Sequence, residues 1–342
     1  MLLIGYKRGI KWLAFASLLL YVPGSAAEAA QRANDGQTFK VSPGRLARWD
    51  NGFLVSWKFD NSVSDTEANV LVYNRDEKLF GKTRIWVEGA SFLRITDATV
   101  GKDGQVAAVG FATTASGTFS EYLADVSVIG GSARIVQLSP FAGRAVGFAP
   151  DGTIWVFGAD LGPTGDGREP APDHYTVRHF GTNDVLKGQY LLRSDFHCEL
   201  GRVPPVRVVA SADRIGFFSS VCRTWVELSL TGEMLGRWTW NPVSQVKYGH
   251  EEREIMSVAL TSSNELYGSR RNTGEPLVRF DRKTSEWIPV KMGADPPNAA
   301  PFLAILLGAD DDKLVYATTD AGALKTESGG FKVVSFQPPK AE

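Results

Sequence analysis

The sequence has few of the residues that most often carry chemistry. Its 342 residues include only two cysteines, four histidines and four methionines. It has no Gly-x-Ser-x-Gly elbow, no His-Glu-x-x-His pair, no phosphate-binding loop and no EF-hand loop. We therefore find no recognisable nucleophile motif, and we predict no metal site and no cofactor.

Charge and hydrophobicity also lack extremes. The formal net charge at pH 7 is −1, from 37 basic and 38 acidic residues. This balance does not favour a nucleic-acid partner. The main apolar run, Trp12 to Val22, is shorter than the about 20 residues that a membrane-spanning helix needs.

The first 29 residues instead have the three regions of a cleavable secretory signal. Lys7, Arg8 and Lys11 precede the apolar run, and small residues follow it up to Ala29. We predict cleavage after Ala27 or Ala29, so that residues 30–342 form one domain in the periplasm or outside the cell. The alternative is a membrane anchor, but after cleavage we expect no stable membrane insertion.

Strand and turn formers dominate the rest of the chain. It has 35 glycines, 17 prolines and 19 phenylalanines. After Val22 no stretch places apolar residues three to four apart over three helical turns. The composition therefore predicts an all-β domain.

A short polar turn between two apolar segments recurs six times. The equivalent turn residues are Asn51, Asp103, Asp151, Asp213, Asn264 and Asp312, at intervals of 52, 48, 62, 51 and 48 residues. Turns of the Asn-Gly or Asp-Gly type join the strands of hairpins. Two further short strands follow each hairpin, and repeats near fifty residues indicate blades around an axis.

We therefore predict a six-bladed β-propeller with four antiparallel strands in each blade. The long interval contains excess residues at 158–174 and 193–205, which we interpret as loop insertions; a seventh blade is the alternative. Residues 37–41 are expected to add to the last blade and help close the ring, because an open repeat leaves an unpaired edge.

The segment from Val146 to Val156 resembles the blade signature of six-bladed propellers of the NHL-repeat and gluconolactonase type. That resemblance covers the chain only as a repeat pattern, and such propellers include hydrolases, lyases, peptide binders and scaffolds. A gluconolactonase-type site needs carboxylates and amides around a cation. Asp97 and Glu254 alone do not make such a cage, so the resemblance does not carry calcium-dependent hydrolysis to this chain.

Arginines stand at the start of five predicted innermost strands. We call the face opposite the six turns the top face, and its loops are the long ones. We predict that an anionic ligand binds there, because guanidinium groups grip carboxylates and phosphates. The predicted ligand residues are Arg45, Arg94, Arg144, Arg207, His174 and His250, with Arg253 at the equivalent place in blade 5. The alternative is that the arginines pair structurally and the histidines are ordinary loop residues.

The two cysteines, Cys198 and Cys222, fall in top-face loops of one predicted blade. In an exported protein such a pair favours a disulfide. Two buried free thiols are the alternative, whereas a zinc site needs more ligands.

Two classes of function remain. The first is an exported, non-catalytic propeller that binds a protein, a peptide or an anionic small molecule on its top face. The alternative is a propeller hydrolase or lyase with an active site at the channel mouth. A carboxylate or histidine aimed into that mouth, with a plausible partner, would favour the enzyme.

Overall fold

The structure, a computed structural model, describes residues 37–39, 45–130, 133–161, 173–196, 206–241, 255–270, 277–290, 304–318 and 331–338. The predicted signal peptide, Cys198, His250 and Arg253 lie outside these residues. Within these ranges no helix has the length and apolar character needed to cross a membrane.

The described residues form 25 strands. The first thirteen are β1 (Gln37–Phe39), β2 (Arg45–Asp50), β3 (Phe53–Lys58), β4 (Asp60–Ser62), β5 (Val70–Tyr73), β6 (Leu79–Thr83), β7 (Ala90–Val100), β8 (Gln105–Thr114), β9 (Phe119–Ser127), β10 (Ala133–Gln137), β11 (Phe141–Phe148), β12 (Ile154–Asp160) and β13 (Tyr175–Phe180). The others are β14 (Leu186–Leu192), β15 (Val206–Ala210), β16 (Arg214–Ser219), β17 (Thr224–Ser229), β18 (Met234–Thr239), β19 (Ile255–Leu260), β20 (Leu266–Arg270), β21 (Leu277–Asp281), β22 (Glu286–Pro289), β23 (Ala304–Asp310), β24 (Lys313–Thr318) and β25 (Phe331–Phe336).

These strands make six blades of four antiparallel strands. Blade 1 contains β2, β3, β5 and β6, and blades 2 to 5 take the strands β7–β10, β11–β14, β15–β18 and β19–β22. Blade 6 contains β23, β24, β25 and the N-terminal strand β1. The short β4 joins the free edge of β7 in blade 2. The predicted six-bladed propeller is therefore confirmed.

Each predicted turn joins the innermost strand of its blade to the second strand. The turn at Asn51 and Gly52 has φ angles of 51° and 81°, and Gly152 has 81°. Glycine and asparagine tolerate this left-handed region better than other residues do. Residues at all six turns line one cavity, so the turns share one face, which we call the turn face.

Blades 3 and 4 account for the long repeat interval. Strands β11 to β14 complete blade 3 before β15 begins blade 4. The extra residues fall between β12 and β13 and after β14, where the turn Arg193–Phe196 is a short 3₁₀ helix. The seventh-blade alternative is wrong.

Large aromatic side chains fill the spaces between blades. Trp155 of blade 3 is fully buried and its ring centroid lies 6.4 Å from that of Phe217 in blade 4. Trp287 of blade 5 packs edge-on against Phe218 of blade 4 at 6.1 Å. Sheets packed face to face need such volume between them. The tryptophans Trp49, Trp57, Trp155, Trp225, Trp240 and Trp287 are all buried.

The N-terminal strand closes the ring. Gln37 lies opposite Val333 and Phe39 opposite Phe331, so β1 is the outermost strand of the last blade. The Phe39 side chain is 1% exposed, and its ring meets those of Trp49 at 6.2 Å and Tyr73 at 5.9 Å, both in blade 1. The predicted closure is therefore confirmed for residues 37–39.

We expect Phe39→Ala to lower the free energy of unfolding by about 3–5 kcal/mol, because it leaves a cavity where blades 6 and 1 meet. Urea denaturation measures this loss. Phe119→Ala is the matched control: Phe119 is 47% exposed, and we expect a loss of about 1 kcal/mol or less. Equal losses for the two variants would contradict a closing role for β1.

Candidate ligand site

The guanidinium of Arg48 crosses the axis of the ring. Arg48 belongs to β2 in blade 1, and its side chain is 2% exposed. Nη1 donates to the carbonyl oxygen of Val146 in blade 3 at 2.8 Å, and Nη2 donates to that of Val208 in blade 4 at 2.6 Å. One side chain therefore joins the innermost strands of three blades.

Two aspartates balance this buried charge. The Nε atom of Arg48 lies 2.5 Å from Oδ2 of Asp50, and Nη1 lies 3.4 Å from Oδ2 of Asp97 in blade 2. Asp50 also accepts a hydrogen bond from Thr99 Oγ1 at 2.8 Å, and Asp97 accepts one from the Val146 amide at 3.0 Å. Burial raises the pKa of the Asp50 carboxyl, whereas Arg48 acts to lower it.

A second arginine crosses the axis from the other side. Nη2 of Arg207 in blade 4 donates to the carbonyl oxygen of Leu307 in blade 6 at 3.1 Å. Burial and the nearby Arg48 lower the pKa of Arg207 to about 10, against the opposing effect of Asp97 and Asp50. The guanidinium still carries its charge near neutral pH. Four charges, two of each sign, thus meet on the axis.

A cavity of about 370 Å³ lies on the axis and opens at the turn face. Its lining is mixed, and the apolar residues Trp49, Phe148, Val209, Leu260 and Leu307 come from five blades. Arg48, Asp50 and Arg207 also line it, and its rim carries residues of the turns, among them Asn51, Lys102, Ala212, Ser262 and Asp311. A concave site that combines apolar surface with placed polar groups can hold a small molecule.

The predicted arginines do not share one set of partners. Arg45 donates to the carbonyl oxygens of Ala68 at 2.7 Å and Asn69 at 3.1 Å within its own blade. Arg94 pairs with Asp60, with Nε 2.6 Å from Oδ1. Of the four described members of the set, Arg207 lines the cavity.

Arg144 pairs with a carboxylate that we did not predict. Its two terminal nitrogens each donate to one oxygen of Glu121 at 3.0 Å. The Glu121 side chain is 1% exposed, and burial raises its pKa to about 7 although Arg144 lowers it. An anion would have to displace this carboxylate to reach both terminal nitrogens of Arg144.

The other predicted site residues have little exposed surface or lie outside the described chain. His174 is 7% exposed, just before β13. Cys222 is also buried, at 8%. No cysteine in the described part of the chain is free, but Cys198 is not in that part, so the pairing stays a prediction.

The axial residues Arg48 and Asp97 were missed as site residues, although the sequence carries a signal for Arg48. Arg48 stands three residues before its turn residue, Asn51. At the same distance the other repeats have apolar, small or hydroxyl side chains, namely Val100, Phe148, Ala210, Thr261 and Ala309. A lone charge in that register is expensive to bury without partners, and it therefore points to a site or a structural cluster.

The described residues contain no group of three or more His, Cys, Asp or Glu side chains placed to hold a metal ion. On the axis, the carboxylates Asp50 and Asp97 are bonded to Arg48. A guanidinium in that position contacts one oxygen of each carboxylate and places a positive charge beside the ligands that a hard cation would need.

No family model matches the chain, and no curated protein matches it. Its fold is similar to that of a Bacteroides fragilis protein named as an exported protein. The TM-score is 0.53 at 10% identity, over 90% of this chain and 95% of that one. A protein of unknown function from Bacteroides caccae gives a TM-score of 0.46 at 8% identity, over 81% and 89% of the two chains.

The β-propeller domain of the Trilobed protease from Pyrococcus furiosus gives a TM-score of 0.42 at 8% identity, over 72% of this chain and 69% of that one. At these identities the likeness concerns the fold alone.

We expect Arg48→Met to lower the free energy of unfolding by about 3–5 kcal/mol at pH 7, because Asp50 and Asp97 lose their buried counter-charge. Urea denaturation measures the loss. Arg237→Met is the control, since the Arg237–Asp195 pair is 37% and 29% exposed, and such pairs contribute about 1 kcal/mol or less. If Arg48→Met costs no more than the control, the axial cluster does not stabilise the ring.

Proposed function

We propose that this protein is an exported, non-catalytic propeller that binds a small molecule in its axial cavity. The observation that carries the proposal is the cavity itself: it has a volume of about 370 Å³, a mixed apolar and polar lining, and a buried guanidinium at its floor. The apolar side chains can contact the body of a ligand, and the guanidinium can fix its orientation through a polar contact. It moves the hypothesis of an anionic ligand from the top face to the turn face.

The groups that line the cavity favour binding over catalysis. The lining carboxylate on the axis, Asp50, already accepts from Arg48 and Thr99. No histidine is among the described residues that line the cavity. The other lining carboxylates are Asp310, which pairs with Arg75, and Asp311 in the turn at the rim. A general acid or base must lie within hydrogen-bond reach of the reacting group, and these two carboxylates lie away from the guanidinium on the floor.

The wider hypothesis, that a protein, a peptide or an anion binds the top face, involves His250 and loops outside the described residues. A hydrolase or lyase on that face is the second candidate, and Glu121 with Arg144 favours it. A buried carboxyl whose pKa lies near 7 suits proton transfer at neutral pH. Its 1% exposure, however, leaves a substrate little access to the carboxyl, so we rank it second.

Export, the disulfide and kinship with NHL-repeat or gluconolactonase-type propellers belong to the same proposal. The three-part N-terminal segment supports export, and so does the similarity to the Bacteroides fragilis protein. The segment that resembles the NHL blade signature forms β11, its turn and β12 in blade 3. We place the mature protein in the periplasm or outside the cell.

The binding proposal predicts that a small molecule bound in the cavity stabilises the wild-type protein against thermal unfolding. In a thermal-shift screen of charged and neutral metabolites, a true ligand should raise Tm by about 4 °C at about one hundred times its Kd. Ala212→Trp should abolish the shift, because Ala212 is exposed at the rim and indole fills the opening. Glu233→Trp, on an outer turn of blade 4 and outside the cavity lining, should keep it. Shifts that persist in Ala212→Trp would contradict the cavity as the site.

Export predicts the covalent state of the protein recovered from the periplasm or medium. Its intact mass should correspond to a chain that begins at Glu28 or Ala30, less two hydrogens for a bond between Cys198 and Cys222. Alkylation should require prior reduction, and reduction should cost about 3 kcal/mol of stability for a loop of this size. A full-length mass, or two thiols that react without reductant, would contradict this part of the proposal.

A further inference from the structure

We propose that the axial cavity takes a small, singly charged carboxylate with a short apolar body, held by the guanidinium of Arg207. This inference rests on the proposed binding function and adds the chemical class of the ligand. It follows from the unused donors of Arg207, from the charges around the cavity and from its volume.

Arg207 has donors that no group in the described part of the protein uses. Only Nη2 makes a hydrogen bond to a described residue, the carbonyl oxygen of Leu307. Nε is shut off from solvent and has no hydrogen-bond partner in the described part of the chain. The side chain nevertheless keeps some exposed surface and lines the cavity, so its other nitrogen, Nη1, is the one available there. A guanidinium has five N–H donors, and a carboxylate is the acceptor that fits them best.

Arg48 does not compete for that ligand. Its three nitrogens are already held by Asp50, Asp97 and the carbonyl oxygens of Val146 and Val208. The ligand contact on the axis therefore falls to Arg207. Both arginines cross the axis, but Arg48 binds protein groups whereas Arg207 is available to a ligand.

The charges around the cavity favour one negative charge on the ligand. Four basic and three acidic side chains line it: Arg48, Arg75, Lys102 and Arg207 against Asp50, Asp310 and Asp311. Asp97, which pairs with Arg48 beside the cavity, makes the count four of each sign, so a ligand with one negative charge disturbs this balance less than a ligand with two. A dianion such as phosphate brings a second negative charge close to Asp50, where partial burial makes like charges repel strongly.

The volume and the walls set the rest of the ligand. At the packing of liquid water, about 30 Å³ per molecule, 370 Å³ accommodates about a dozen non-hydrogen atoms. Within the mixed lining, Trp49, Phe148, Val209, Leu260 and Leu307 form apolar patches. Each methylene group that contacts them should therefore strengthen binding about fourfold.

The test is calorimetric titration of the purified mature protein with acetate, butanoate and hexanoate, and with hexanamide and inorganic phosphate for comparison. We expect affinity to rise along the carboxylate series. Hexanamide should bind at least about tenfold more weakly than hexanoate, because it lacks the charged hydrogen bond to Arg207. Phosphate should also bind at least about tenfold more weakly, because it adds a second negative charge. Arg207→Gln should reduce hexanoate to the level of hexanamide, while Arg237→Gln should leave both unchanged.

The outcomes separate this inference from the proposed function. If hexanamide binds as well as hexanoate, if phosphate binds more tightly than every carboxylate, or if no carboxylate binds, the ligand class is wrong. The cavity as a binding site is then decided by the metabolite screen. If hexanoate binds Ala212→Trp as it binds the wild type, both proposals are wrong. Should Arg207→Gln not fold, the wild type and Ala212→Trp still decide the matter.

Discussion

The guanidinium of Arg48 is the contact on which the centre of the ring depends. A charge with 2% exposure is stable only when its donors are satisfied and its charge is balanced. Arg48 meets both conditions with partners from blades 1, 2, 3 and 4, and Arg207 extends the same cluster to blade 6. The axis of this propeller is therefore held by a polar cluster, whereas the spaces between blades are filled with apolar side chains.

This arrangement explains where a ligand site can form. Arg48 fills the axis at its own level and leaves a cavity on the side of the turns, with a mixed apolar and polar lining above a charged floor. The two arginines at the floor differ in their hydrogen bonds. The donors of Arg48 are bonded to protein acceptors, whereas Arg207 has donors without a partner among the described residues. The structural need to balance charge at the centre and the opportunity to bind an anion thus arise from the same cluster.

Much of the architecture could be predicted because it depends on local chemistry. Asn51-Gly52 and Asp151-Gly152 tolerate positive φ, which hairpin turns require, and alternating apolar residues beside them define strands. Even ring closure by residues 37–39 follows from the need to pair the last edge. The site was harder to predict from the sequence. Arg94 and Arg144 stand at equivalent places in the repeat, but they have different partners, Asp60 and Glu121.

The sequence by itself determined the fold class, the number of blades and the face that the turns occupy, since each depends on residues close together in the chain. Only the tertiary structure decided which charges meet. Arg48, Asp97, Val146 and Val208 are 49 to 160 residues apart, and no local pattern specifies which innermost strands face each other across the axis. Sequence spacing predicts that an arginine begins a strand, but its partners depend on the blades that surround it.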